Sequence, residues 1–147
     1  MPTWVLKKFE HLSPHELYAI MQLRNEVFVV EQDCVYQDAD NKDQDCYHYM
    51  GWENKKLLAY TRIVPPGVTY TEPSIGRVVT SPSARGNGWG RELMEKTIDE
   101  LIKLYGDTPI KIGAQFYLLS FYVSLGFRQS SAMYLEDNIE HIEMVKS

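Results

Sequence analysis

Residues 75–90 read Ile-Gly-Arg-Val-Val-Thr-Ser-Pro-Ser-Ala-Arg-Gly-Asn-Gly-Trp-Gly, and no other stretch restricts the fold as much. An apolar strand runs into a turn at Pro82. A loop with glycines at 86, 88 and 90 follows, and a helix over 88–105 begins inside it. That helix places Leu93, Met94, Thr97, Ile98, Leu101 and Ile102 on one side and stops at Gly106. Glycines let the backbone adopt positive φ and approach a ligand closely. The first turn of a helix leaves N–H groups without partners and carries partial positive charge. Strand, loop and helix start together predict a cradle for a pyrophosphate, with Arg85 and Arg91 adding countercharge at its edges. The spacing is not the G-x-G-x-x-G of a dinucleotide fold, and no Gly-Lys-Ser/Thr marks a Walker loop. A loop that merely joins strand to helix is the competing reading.

The rest of the chain supplies elements around this unit. A strand is expected over 4–9, then a helix capped by Ser13, with Pro14 at its first position and Glu16 completing a capping box. Leu17, Ile20, Met21 and Leu23, followed by Val27 and Phe28, give it an apolar face. Strands over 47–52 and 57–64 form a hairpin turned at 53–56, and the next strand covers 74–80. Beyond the long helix come a strand over 110–114, a short helix over 118–125 closed by Gly126, and a closing strand pair over 127–134 and 142–146. The order predicts an α/β fold in one domain spanning 1–147, with a mixed sheet and flanking helices. At 147 residues such a domain carries a real core.

Charge and cysteine content narrow the function classes. A net charge of −5 argues against a general nucleic-acid binder, which needs clustered Lys and Arg. Two cysteines with no C-x-x-C predict neither a disulfide framework nor a zinc site, and fit a reducing compartment, the cytoplasm. The opening Met1-Pro2-Thr3-Trp4 does not resemble a secretory leader, and no apolar run is long enough to span a membrane. Between 31 and 45 the periodicity vanishes. Asp38, Asp40, Asp43 and Asp45 invite a calcium reading but lack the Gly and closing Glu of an EF-hand, so a solvated loop without metal is expected.

The residues also carry a resemblance. Arg85-x-x-Gly88-x-Gly90 after Val78-Val79-Thr80-x-Pro82 resembles the coenzyme A motif of the GCN5-related N-acetyltransferase (GNAT) superfamily. Gln115, followed by Phe121-Tyr122-Val123-Ser124-Leu125-Gly126-Phe127, is similar to that superfamily's Asn…FYxxxGF signature, with Gln in place of the usual Asn. A longer likeness runs from Leu23-Arg24 through Val27-Phe28-Val29-Val30-Glu31-Gln32, Cys34, Tyr36 and Asp38. It resumes at Gly113-Ala114-Gln115 and at Tyr134-x-Glu136-Asp137-x-Ile139-x-His141-Ile142-x-Met144, and resembles the ElaA-like subgroup.

The resemblance implies a GNAT-like fold with a mostly antiparallel sheet splayed between its fourth and fifth strands. It implies acetyl-CoA as cosubstrate, with the pantetheine arm entering that gap along Val78 and Thr80. Val79 N–H is then the candidate donor to the thioester oxygen. Arg85, Gly86, Asn87, Gly88, Trp89, Gly90 and Arg91 form the phosphate loop, and Gln115 is a further cofactor contact. Tyr122 is the candidate general acid for the departing thiolate. The acceptor is a small-molecule or peptide amine, with Phe28, Glu31, Tyr36, Tyr134 and His141 as candidate acceptor-site residues and Tyr117 beside them. The acidic loop leans toward a cationic acceptor. The base is unassigned among Glu31, Asp38, His48, Glu136 and His141, with His48 also readable as a sheet histidine paired to a neighbour. A homodimer is left open. The alternatives are a non-catalytic acyl-CoA-binding sensor or interaction module and, from Val27-Phe28-Val29 after Arg24, an acyl-homoserine lactone synthase of related fold.

Overall fold

The computed structural model describes residues 2–147; Met1, part of the opening stretch read above, lies outside them. The first sheet is a meander, β1 (Thr3–Lys8), β2 (Tyr47–Glu53), β3 (Lys56–Val64) and β4 (Ser74–Thr80), in that spatial order. The second sheet centres on β8 (Ile139–Lys146). β5 (Ile110–Gln115) pairs with it along one edge, and β6 (Phe127–Gln129) and β7 (Tyr134–Glu136) also pair with it. Every ladder is antiparallel.

The helices follow from local chemistry. α1 (Pro14–Arg24) starts with the capping box: Glu16 N–H donates to Ser13 Oγ at 3.0 Å and Ser13 N–H to Glu16 Oε1 at 2.8 Å. The chain then widens into a π-helical turn over Asn25–Glu31, with Gln32 N–H reaching back to Val27 O at 3.1 Å. α2 (Trp89–Tyr105) buries Leu93, Met94, Thr97, Ile98 and Leu101, while Ile102 stays 40% exposed. Gly106, at φ 83, ends it with N–H donated to Ile102 O at 2.7 Å. α3 (Leu119–Ser124) is a short helix before Gly126.

Strand β3 is buried from Leu57 to Val64 because both its faces are covered. α1 packs Ile20 and Leu23 on one face with Met50, Tyr60 and Val79. α2 lies on the other and reaches across both sheets, joining Ile63 and Ile75 to Ile110, Ile112, Ile142 and Met144 in one core. The sheets meet at β4 and β5. Lys111 N–H donates to Pro73 O at 3.1 Å where the two strands begin, and no ladder joins them beyond it. The splay expected between the fourth and fifth strands is there.

Two expectations change. The strand expected over 127–134 divides into β6 and β7, because Ser130 and Ser131 leave the ladder. Ser130 N–H donates to Glu143 O at 2.8 Å, and Glu143 N–H to Ser131 Oγ at 2.9 Å. The closing strand accordingly begins at Ile139 rather than Ile142. Among the described residues no helix is long and apolar enough to cross a membrane.

Candidate active site

The second half of β4 is bent before it reaches the loop. Tyr60 pairs with Val79 but Arg62 pairs with Gly76, so β4 carries one residue more than β3 between these points. The extra length bulges at Arg77, which takes φ 50, a conformation few non-glycine residues adopt. Past β4 the backbone is braced by Ser81 N–H to Leu58 O at 2.7 Å and Ala84 N–H to Ser81 O at 2.8 Å. Asn87 Nδ2 donates to Ala84 O at 3.2 Å. Gly86 and Gly88 sit at φ 87 and 73, which supplies the physical reason for glycine there; Gly90, already helical, does not need it.

No side chain caps α2, whose first internal bond is Glu92 N–H to Gly88 O. Its leading amides are therefore free to bind an anion. A β-carbon built at Gly86, Gly88 or Gly90 would meet no protein atom within 4 Å. The space against this backbone is open, as a phosphate cradle requires. Trp89 is half-buried at the helix start.

The two arginines of the loop behave differently from expectation. Arg85 forms a fork with Glu31, Nη1 to Oε2 at 2.7 Å and Nη2 to Oε1 at 2.6 Å, across the mouth of the site. The Arg85 hydrogen bonds hold the Glu31 carboxyl below its usual range. Arg91 turns away to α3, donating to Ser124 Oγ at 2.8 Å and Ser124 O at 3.3 Å.

A cleft of ≈ 880 Å³ opens where β4 and β5 part. Val78, Val79, Thr80, Arg85, Gln115 and Tyr122 line it, together with Phe28, Glu31, Tyr36, Tyr134 and His141. Gly86, Asn87, Gly88, Trp89, Gly90 and Arg91 follow directly in sequence at the Arg85 end. Tyr122 is 5% exposed, its ring held edge-on between Phe121 and Phe127. Burial, helped by Tyr117, pushes its hydroxyl up to about 12, so it stays protonated at neutral pH. Gln115 is paired side chain to side chain with Gln32, at 3.3 and 3.5 Å. Gln32 was not singled out in the sequence. Neither was Tyr70, whose hydroxyl converges with that of Tyr134 over Gly113, 3.1 and 3.3 Å from where a β-carbon would stand.

The expected solvated loop over 31–45 holds for Asp45, which is exposed, but not for Asp38 and Asp43, which are drawn into the interior. Asp38 and Asp43 are 3% and 7% exposed. Arg24, fully buried, binds Asp38 Oδ2 and Asp43 Oδ1, both at 2.7 Å. Arg62 forks onto Asp40 at 2.8 and 2.9 Å and reaches Asp43 Oδ1 at 3.0 Å. Arg77, placed by the bulge, reaches Asp38 Oδ1 at 2.9 Å and Asp40 Oδ2 at 3.3 Å. Tyr36 donates to Asp38 Oδ1 at 2.7 Å, so its hydroxyl belongs to this knot while its ring faces the cleft. Three guanidinium groups answer three carboxylates, and the case for a cationic acceptor from surplus negative charge in this loop lapses. No cluster of three or more metal-ligating side chains occurs among the described residues.

The two histidines of interest are opposites. His48 is fully buried; Nε2 lies 2.9 Å from Asp43 O and Nδ1 2.6 Å from the Tyr60 hydroxyl. Burial lowers its pKa. It is a paired sheet histidine. His141 lines the cleft with its ring stacked on Tyr134.

A family model for the acetyltransferase (GNAT) domain matches residues 10–147. Protein ElaA of Escherichia coli (strain K12) is 42% identical over 99% of this chain and 97% of its own. The crystal structure of an acyl-CoA N-acyltransferase from Pseudomonas aeruginosa superposes with a TM-score of 0.96 at 43% identity, covering 100% of both chains. The AHL synthase LasI gives a TM-score of 0.82 over 99% of this chain and 89% of that one at 11% identity, which shows a shared fold alone. With the splayed sheets, the open glycine loop and these full-length likenesses all agreeing, the chain belongs to the GNAT acetyltransferase family, among the relatives of ElaA, and is an acyltransferase.

Proposed function

We propose that residues 1–147 form one N-acyltransferase domain that moves an acetyl group from acetyl-CoA onto a small-molecule or peptide amine by direct attack, with Tyr122 as general acid. The observation that carries this reading is the Tyr122 hydroxyl. It lines the cleft at the splay, and it makes no hydrogen bond to another protein group among the described residues. A buried tyrosine that only fills the core normally satisfies its hydroxyl within the protein.

The chain's own groups fit an acyl-CoA. The α2 amides and the open backbone at Gly86 and Gly88 would take the pyrophosphate, with Arg85 exchanging Glu31 for a phosphate at the rim. The edge of β4 from Val78 to Thr80, unpaired by β5, would take the pantetheine, and Gln115 would contact it after leaving Gln32. Val79 pairs with Tyr60 and turns its N–H toward β3, so the donor to the thioester oxygen falls to the open-edge amides of Val78 and Thr80 rather than to Val79. Tyr122 then protonates the departing sulfur. Its raised pKa makes it a reluctant acid, but the same burial disfavours an unprotonated thiolate.

The test is thiol release from acetyl-CoA across a panel of amines. Tyr122→Phe keeps the ring and removes the proton. It should cut kcat by about 10²–10⁴-fold and leave acetyl-CoA affinity by calorimetry intact. Turnover close to wild type rules out the acid role. Tight acetyl-CoA binding with no turnover on any amine favours a sensor.

A further inference from the structure

We propose that His141 is the base, taking the proton from the acceptor amine on the face of the second sheet opposite Tyr122. This rests on the acyl-transfer reading above. Strand parity sets the geometry. Ile112, Ala114, Ile142 and Met144 point to the core that holds Tyr122 and Phe127. Gly113 and Gln115, paired across the ladder with Glu143 and His141, therefore point to the other face. Tyr134 is His141's partner on the opposite side of β8, so it shares that face. Acid and base thus approach the splay from opposite sides, leaving the acyl carbon between them.

The tautomer follows from one contact. His141 Nδ1 lies 2.8 Å from Ile139 O, and a carbonyl only accepts, so Nδ1 carries the hydrogen. In the neutral ring Nε2 then holds a lone pair. Glu136 Oε2 lies 3.6 Å from Nε2, too far for a hydrogen bond, so that lone pair is not engaged by it. Tyr134 stacks on the ring with centroids 6.0 Å apart and fixes its plane. The Tyr70 and Tyr134 hydroxyls, which have no hydrogen-bond partner among the described residues, converge over Gly113 and offer an amine two polar contacts.

Three of the four rival bases are committed elsewhere, Glu31 to Arg85, Asp38 to Arg24 and Arg77, and His48 at both nitrogens; the fourth, Glu136, has a side chain 58% exposed to solvent and lies 3.6 Å from His141 Nε2. In the step, Nε2 takes one proton from the bound ammonium, the lone pair so freed forms the bond to the acyl carbon, and the second N–H proton passes to solvent as the amide forms. The C–S bond breaks, and the sulfur keeps its electron pair and takes the Tyr122 proton. Solvent then removes the proton from His141 and restores that of Tyr122.

Two experiments decide it. Long-range ¹H–¹⁵N spectra of ¹⁵N-histidine protein at about pH 8, assigned by the signal missing from His141→Asn, should show a neutral ring protonated at Nδ1. A ring protonated at Nε2 overturns the proposal without reference to activity. Asn keeps a donor near Nδ1 and removes Nε2. With benzylamine, mostly an ammonium ion at this pH, His141→Asn should lower kcat by about 10²–10⁴-fold. With O-benzylhydroxylamine, already neutral and needing less help, the loss should be no more than about tenfold. Equal losses on both, or none, sink the assignment while thiol release by the unaltered enzyme still upholds acyl transfer. No thiol release by the unaltered enzyme with either probe or any panel amine overturns the acyl-transfer reading, and this role with it.

Discussion

On one side of β4, three arginines and three aspartates close on one another away from water; at its far end, a glycine loop leaves the amides of α2 without protein partners. Both regions concentrate polar groups, and β4 belongs to each. In the knot, charges are matched and multiply hydrogen-bonded, down to Arg24 Nη2 on the Asp38 carbonyl at 3.0 Å. Arg62 Nε and Arg77 Nε are the exceptions, both buried without a hydrogen bond, although Arg77 Nε keeps its ion pair with Asp38. Such a cluster fixes a conformation: it ties α1, the loop over 31–45, β3 and the β4 bulge together. At the cradle the donors are left open, so their free energy of pairing is available to a ligand. Paired polar groups hold this molecule in shape, and the open amides at the head of α2 are the ones proposed to meet a ligand.

The contrast makes separable predictions. The largest effect should come from Arg24→Met, which fills similar volume but takes the one fully buried guanidinium from Asp38 and Asp43, leaving Asp38 to Arg77 and Tyr36 and Asp43 to Arg62. Loss of one partner of a buried ion pair costs about 3–5 kcal/mol, so urea unfolding should show a destabilisation of that order. A change within experimental error would mean the knot contributes nothing to the fold. Gly88→Val attacks the other region. At φ 73 a branched side chain is strained by about 1–2 kcal/mol, yet it meets no protein atom. The variant should therefore fold while acetyl-CoA affinity by calorimetry falls by at least about tenfold. Unchanged affinity would show the cradle is misplaced.

Acid should loosen the knot before it touches the cradle. Burial alone would raise the Asp43 carboxyl, but Arg24 and Arg62 outweigh it and hold it low; Asp40 is likewise lowered by Arg62 and Arg77. Groups depressed in the folded state bind fewer protons folded than unfolded, so their stabilisation is complete above the ordinary carboxylate value near ~4 and fades below it. His48, lowered by burial, works in the same direction from its ordinary value near ~6.5 downward. Tm should thus fall progressively from about pH 6.5 into the acid range. A Tm flat down to about pH 4 contradicts the lowered His48. The smallest effect belongs to Glu31→Gln. It cuts a solvent-exposed fork, so the urea midpoint should not move measurably. Acetyl-CoA affinity should hold or rise once Arg85 is released, and a clear loss would assign Glu31 a direct part in binding.

What could be read in the residues was what lies close together along the chain. The Ser13–Glu16 capping box, the Gly106 stop and the strand–loop–helix over 75–90 each rest on neighbours within a few positions, where backbone geometry is set locally. The splay itself entered only through likeness to a family, since nothing local says that two adjacent strands part. Chain proximity also misled. Four aspartates within eight residues read as a solvated acidic loop; Asp45 is indeed exposed, but the partners of the other three, Arg24, Arg62 and Arg77, lie far off in sequence and on three different elements.

The two histidines divide along the same line. His48 is readable from sequence as a paired sheet histidine and His141 as an acceptor-site candidate, but the partners that lock the one between Tyr60 and Asp43 and leave the other with one nitrogen free at the cleft come from the fold. The sequence by itself determined that a glycine loop runs into a helix start and where it lies, since a short contiguous segment carries all the residues that make it. Tertiary structure alone decided which polar groups are spent on holding the fold and which remain open. That choice depends on burial and on partners brought together across the sheets, and neither is written in any single stretch of the chain.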